Sequence, residues 1–191
     1  MSLIPAFEIG VWNAWIFMLC HILLYLLVML VPTCRYRSRE METTHTETEK
    51  RLYPTIMILW VLAIIYSIFL PLSLKTIWFY AGLPIFVLGL IGQTAVCLSI
   101  CTIPINEKPL TSGIYRYSRH PYYVTQLIMF IGAGLASASW IFIVFSVVSF
   151  ILYSVMVIPE EHRCLEKYGD VYREYMNMTP RWIGIPKSGG K

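Results

Sequence analysis

Residues 122–158 read YYVTQLIMFIGAGLASASWIFIVFSVVSFILYSVMVI and carry no charged side chain. At about 1.5 Å of rise per residue one helix of this length would exceed about 50 Å, too long for the roughly 30 Å hydrocarbon core of a bilayer. A hairpin of two shorter helices is therefore predicted, over 122–137 and 139–159. Gly132, Ala133, Gly134, Ala136, Ser137, Ala138 and Ser139 mark its turn, and their small side chains allow backbones to approach closely.

Towards the N-terminus the same reasoning finds three more apolar spans. The first covers 11–31, opened by Trp12 and Trp15 and closed by Pro32; the second covers 54–71, with Pro54 suited to a first helical turn and Pro71 at its end. The third covers 77–101 and contains Gly82, Pro84, Gly89 and Gly92. Polar segments at 32–53, 102–121 and 160–191 separate or follow the spans. The expected fold class is all-α: one domain, 1–191, forming an integral membrane bundle of about five helices.

Composition agrees. Of 191 residues 57% are apolar and only 14% charged, where a soluble domain carries about a quarter charged residues. Disorder and an ordinary soluble enzyme are excluded. The charges are also unevenly placed: segments 32–53, 102–121 and 160–191 hold fourteen of the fifteen Lys and Arg, leaving Lys75 on the other side. Cytoplasmic segments collect basic residues, so an odd number of spans is expected, with the N-terminus outside and the C-terminus in the cytoplasm. The hydrophobic start lacks a basic leader and a small-residue cleavage site, so a removed signal peptide is not expected.

A net charge of +4 without a long basic run does not suit nucleic acid, and no obligate protein partner is evident. Cys20, Cys34, Cys97, Cys101 and Cys164 form no CxxC and no zinc spacing; no metal site is expected. Cys97 and Cys101, four apart, read as small apolar side chains on one helix face rather than a redox couple. Neither GxGxxG nor GxxxxGK[ST] occurs, so there is no Rossmann or P-loop fingerprint, and HExxH and GxSxG are absent too. His21 is the lone titratable group at mid-depth of a span, too little for a pump or coupled transporter.

Two cytoplasmic segments are unusual for connectors. In the first, Lys108 to Tyr123, Gly113 permits a turn with positive φ, and Pro121 suits a helix start whose free N–H groups favour an anion. Arg119 can grip a carboxylate with two hydrogen bonds, and the tyrosines can stack on a ring or surround a cation. Such a set suits a ligand with a carboxylate, an adenine and a positive centre. The bland alternative is interfacial Arg and Tyr at head-group depth, which composition alone favours. His120 alone reads as a local hydrogen-bonding residue.

In the second segment, Pro159 to Trp182, Glu160 and Glu161 are expected at the C-terminal end of the last span, where the helix dipole disfavours acids unless a partner compensates. Glu161 could then accept ribose hydroxyls or face a cation. The alternative is a helix that continues into the cytosol with Glu160, Glu161 and Arg163 solvated and Leu165, Tyr168 and Tyr172 on the bilayer surface. No second acid at a defined spacing supports glycosidase-like chemistry.

Taken in order, Gly113-Ile114-Tyr115, Arg119-His120-Pro121-Tyr122-Tyr123, the apolar hairpin, Glu160-Glu161, Leu165, Tyr168-Gly169, Tyr172, Tyr175 and Pro180-Arg181 resemble the isoprenylcysteine carboxyl methyltransferase family; the related phospholipid N-methyltransferases share much of the pattern. The resemblance covers roughly residues 107–186. It implies a membrane-embedded methyltransferase using S-adenosylmethionine in a cytoplasmic pocket without a Rossmann fold, acting on a lipid or prenylated acceptor that enters from the bilayer. Carried over by position, the cofactor-binding set is Glu107, Lys108, Pro109, Leu110, Tyr115, His120, Pro121, Tyr122, Tyr123 and Glu161, the first four by distance from Gly113 rather than by residue type. No catalytic acid or base is implied, because a prenylcysteine carboxylate is already ionised at neutral pH. The family's Arg just before the Glu-Glu pair is missing from Tyr153 to Ile158, so Arg163 and Arg173 are the candidate substrate-binding cations. A phospholipid or other small-lipid N-methyltransferase, and a non-catalytic polytopic binding or scaffold protein, are the alternatives.

Overall fold

The computed structural model describes residues 8–32, 34, 35, 47–102 and 109–186. Among these the elements are helical: α1 (Trp15–Leu30), α2 (Glu47–Ile68), α3 (Ile77–Thr102), a 3-10 turn (Gly113–Arg116), α4 (Pro121–Ala136), α5 (Trp140–Tyr168) and α6 (Asp170–Met178). The one extended pairing among them is a single bridge, Asn13 with Pro71. Helices α2, α3 and α5 are long and apolar enough to cross a membrane, and α1 and α4 are shorter apolar helices. The architecture is a membrane helical bundle.

The hairpin expected within 122–158 is present as α4 and α5. Ala138, at φ 51°, makes the turn, and the Ser139 hydroxyl caps α5 by accepting the Phe142 N–H at 3.3 Å. Helices α3 and α4 pack with backbones nearly touching: a Cβ on Gly82 would lie 2.2 Å from the Ala136 nitrogen, and one on Gly132 would lie 2.2 Å from the Phe86 nitrogen. Only glycine permits that approach. Beside this seam Phe17, Met18, Phe86, Met129, Phe130 and Phe142 form the core, with Phe17 and Phe86 centroids 4.4 Å apart. His21 packs there as a flat ring, stacked on Trp60 at 4.8 Å.

At the far end of the bundle from residue 161, the Asn13 amide donates to the Ile68 carbonyl at 2.7 Å, and the Ala14 N–H donates to the Leu70 carbonyl at 2.8 Å. These bonds take up carbonyls that the end of α2 would leave unpaired.

Three expectations are corrected. The helix of the second span does not open at Pro54: α2 begins at Glu47 with Pro54 inside it, because Glu47 and Glu49 favour the positive N-terminal end of the helix and Glu49 is buried against Arg163. The helix of the last span does not stop near Pro159; α5 continues to Tyr168 and ends at Gly169, φ 56°. Glu160 and Glu161 therefore sit well inside a helix, and the dipole argument against them lapses. Cys101 is not a mere apolar filler, since it forms a disulfide with Cys34 across a sequence separation of 67.

Candidate functional site

The site begins with a turn that only glycine makes easily. Gly113 has φ 64°, and a Cβ there would come within 2.9 Å of the Ser99 hydroxyl on α3. The 3-10 turn it opens buries Tyr115, whose carbonyl accepts the Tyr175 hydroxyl of α6 at 2.6 Å. The chain then runs alongside residues 180–184. Arg119 N–H donates to the Pro180 carbonyl at 3.0 Å, His120 N–H to the Arg181 carbonyl at 3.3 Å, and Gly184 N–H to the Tyr117 carbonyl at 3.1 Å. These backbone bonds fix residues 117–120 and the tail as one unit, and Pro121 then starts α4 from a buried position.

This unit delivers two arginines and a histidine to Glu161, which is 3% exposed. Arg181 grips it with two nitrogens: Nη2 donates to Oε2 at 2.6 Å and Nε to Oε1 at 3.2 Å. Arg119 Nη1 stands 3.0 Å from Oε1, and His120 Nε2 lies 3.2 Å from the same oxygen. Burial by itself would raise the Glu161 carboxyl, but the hydrogen bonds from His120 and Arg181 and the Arg119 charge outweigh it and bring its pKa down to about 2. Glu161 is thus an ionised anchor.

Its neighbour behaves oppositely. Glu160 accepts a hydrogen bond from the Tyr123 hydroxyl at 3.2 Å and has His120 Nδ1 at 3.7 Å. Burial pushes its pKa up, more than His120, Tyr123 and Arg163 pull it down, and the nearby Glu49 adds to the rise. Two adjacent carboxyls on one helix are therefore driven apart in proton affinity, with His120 between them. An aromatic wall continues from this point: His120 stacks near Tyr123 at 6.0 Å, and Tyr123 stacks on Tyr153 at 4.6 Å. Trp182 closes the other side of His120 at 6.3 Å.

Of the residues singled out in the sequence, Tyr115, His120, Pro121, Tyr123 and Glu161 meet at this junction, and Tyr122 packs edge-on against Tyr123 at 5.7 Å. Pro109 and Leu110 are half-buried on the approach to Gly113, while Glu107 and Lys108 lie outside the described residues. Arg163 is taken up by Glu49, and Arg173 lies on an exposed face of α6, 3.6 Å from Asp170. Neither joins the cluster around Glu161. Arg119, expected to grip a carboxylate, faces that of Glu161; Arg181 and Glu49 are the additions. Arg181 stood in the Pro-Arg string without an assigned role, and Glu49 was hidden in a polar stretch that looked solvated.

Arg119 is the cluster's link to open space. Its side chain is 9% exposed, and it lines a cleft of about 240 Å³ with Met176, Asn177, Met178, Thr179, Pro180 and Ile185. A guanidinium at the wall of such a cleft fits an anionic group such as a carboxylate. Around His120, the faces of Tyr123 and Trp182 fit a flat ring.

Fold and junction define a helical membrane protein with a charged, aromatic site at one end of the bundle. Residues 77–171 match the family described as phospholipid methyltransferase. A stretch of 78 residues is 33% identical to the protein-S-isoprenylcysteine O-methyltransferase of Schizosaccharomyces pombe (strain 972 / ATCC 24843), covering 40% of this chain and 32% of that protein. The chain thus matches about a third of the length of that curated relative.

Proposed function

We propose that the chain is a membrane methyltransferase that transfers the methyl group of S-adenosylmethionine to the C-terminal carboxylate of a prenylated cysteine, forming a methyl ester. The carrying observation is the Glu161 cluster: a buried carboxylate held by Arg119, His120 and Arg181 beside a cleft and a wall of aromatic rings. The name of the fission-yeast relative supports the acceptor class. Five spans are part of the reading, with the N-terminus outside and the site on the cytoplasmic face, where the cofactor would enter as the lipid arrives from the bilayer.

S-adenosylmethionine would supply an electrophilic methyl on a positively charged sulfur. The chain's own residues hold and orient. Arg119 brings its charge to the cleft for a carboxylate, Glu161 fixes Arg119 and Arg181, and Tyr123, His120 and Trp182 present ring faces that exclude water. Tyr115 and Pro121 set the backbone that carries these groups. An ionised acceptor carboxylate needs no proton removed before it attacks, so positioning carries the rate.

A second reading, methylation of a phospholipid amine, is favoured by the family matched over residues 77–171 and by Glu160. An ammonium must lose a proton before attacking, and a buried carboxyl whose pKa is raised is suited to take it. One experiment separates the readings. Purified protein in phosphatidylcholine vesicles receives methyl-labelled S-adenosylmethionine with either N-acetyl-farnesylcysteine or phosphatidylethanolamine. Base-labile label on the first supports the ester reading, base-stable label on the second supports the amine reading, and no saturable binding of S-adenosylmethionine rejects both.

A further inference from the structure

Helix α2 is held differently along its length. From Ile56 onward it packs into the bundle: Ile56, Ala63 and Ser67 are buried, the Trp60 indole N–H donates to the Tyr153 hydroxyl at 2.8 Å, and the Tyr66 hydroxyl meets that of Ser139 at 3.0 Å. Its first turns are mostly in the open. Among residues 47–55 Glu49 is buried and Leu52 half-buried, while the other seven are exposed. Charge is what buries Glu49: its carboxylate takes the Arg163 guanidinium of α5, and the two side chains are 4% and 19% exposed.

Pro54 weakens the join between the two parts. It lies inside α2, where it has no N–H for the Lys50 carbonyl and its ring crowds that carbonyl, so the helical ladder is interrupted just after the turn that carries Glu49. The ring is exposed, so no packing demands a proline at this position. The ion pair also stands at the site. Arg163 is one turn beyond Glu160 on α5, and Glu49 is near enough for its charge to bear on Glu160. Tyr53, one turn from Glu49 on the same face of α2, is within electrostatic reach of Tyr153, whose ring stacks on Tyr123 at 4.6 Å. Beyond Pro54, Met57, Ile58, Val61 and Leu62 are exposed on a helix apolar enough to cross a membrane, so a lipid-facing strip leads along α2 to the proline.

We infer that residues 47–53 form a lid at the Glu160 end of the site, hinged at Pro54 and latched by Glu49 on Arg163, and that its opening admits the acceptor's head from the bilayer. The inference rests on the methyltransferase reading only for naming what passes. A turn with little buried apolar surface opens at low cost, and an ion pair suits a latch, because both charges regain water when they part. Glu49 also keeps the favourable field of the helix N-terminus in either position, since that end of α2 moves with it. The packed part of α2, from Ile56 to Ser67, stays in place as the fixed side of the hinge.

The test follows amide hydrogen exchange on the full chain in phosphatidylcholine nanodiscs, at the N–H groups of Arg51, Leu52 and Tyr53, which bond the carbonyls of residues 47–49 in a regular helix. Glu49→Gln should speed exchange there about tenfold and leave residues 56–68 as in wild type, since an unlatched turn opens without the rest of the helix. Pro54→Ala should slow it about tenfold, because alanine restores the missing hydrogen bond and keeps the ion pair. With N-acetyl-farnesylcysteine as acceptor, Pro54→Ala should lower kcat/KM for the acceptor and leave the Kd of S-adenosylmethionine unchanged. Faster exchange spread over the whole of α2 in Glu49→Gln would make the ion pair a contact of the fold and overturn the lid, as would wild-type exchange in Pro54→Ala. Exchange as expected with kcat/KM unmoved would overturn the acceptor's route. A wild-type chain that does not bind S-adenosylmethionine rejects the methyltransferase reading, and exchange alone then decides the lid.

Discussion

Protonating or neutralising Glu161 should unlatch the junction between α4, α5 and the tail. The carboxyl has an ordinary pKa of 4.5 and is brought down to about 2 in the fold. That difference of 2.5 corresponds to about 3 kcal/mol of stabilisation by the ionised form. Breaking a buried ion pair by removing one partner costs about 3–5 kcal/mol, an independent route to the same size. The sign follows from the depressed value: the contribution is complete above pH 4.5 and is lost as pH falls through about 2. Glu161→Gln removes it at every pH and leaves Arg119 without its counter-charge. In dodecylmaltoside micelles at pH 7, Tm should drop by about 6–12 °C, taking about 2–4 °C per kcal/mol for a chain of this size. Between pH 5 and pH 2.5 the gap between wild type and variant should narrow, and the difference curve cancels carboxyls common to both. A variant within about 1 °C of wild type at pH 7, or a gap that stays constant down to pH 2.5, would refute the anchor role.

Glu160→Gln should have the opposite character: its carboxyl is pushed up by burial, so its ionisation opposes folding at neutral pH, and the variant should match or exceed the wild-type Tm at pH 7. A drop like that of Glu161→Gln would show that the two acids are equivalent. Gly132→Ala places a Cβ 2.2 Å from the Phe86 nitrogen, and overpacking of this kind costs about 1–3 kcal/mol or more; unfolding in mixed dodecylmaltoside and SDS reads the loss, and an unshifted midpoint counts against the backbone seam. Under denaturing, non-reducing conditions three of the five cysteines, Cys20, Cys97 and Cys164, should react with maleimide, rising to five after reduction. Five reactive thiols before reduction would exclude the Cys34–Cys101 bridge.

The membrane class and the hairpin were legible because they depend on local quantities. A charge-free run of fixed length can only be divided, and Gly132 to Ser139 are the residues at which division costs least. The helix boundaries were less legible. Pro54 looked like a start, but a start is also set by what the preceding turn touches, and Glu49 meets Arg163 from a helix more than a hundred residues away. Pro159 looked like an end, yet α5 continues through it, and Glu161, two residues further on, has three partners.

The site divides in the same way. Tyr115, His120, Pro121, Tyr123 and Glu161 were carried over by position from the family resemblance, and the fold brings them together at one junction. Arg163 and Arg173 were chosen for charge and proximity in sequence, and the fold gives them to Glu49 and Asp170. Likewise Cys101 shared a face with Cys97 by periodicity, but pairs with Cys34 because the ends of two helices are brought side by side.

By itself the sequence determined the solvent this chain folds in, the helical hairpin in its charge-free run and the segments rich in polar chemistry, since each follows from hydrophobicity and charge summed along the chain. Tertiary structure alone decided which cation answers which acid. Those outcomes depend on distances of about 3 Å between residues far apart in sequence, and electrostatics and hydrogen bonding at that range respond to direction and burial rather than to composition.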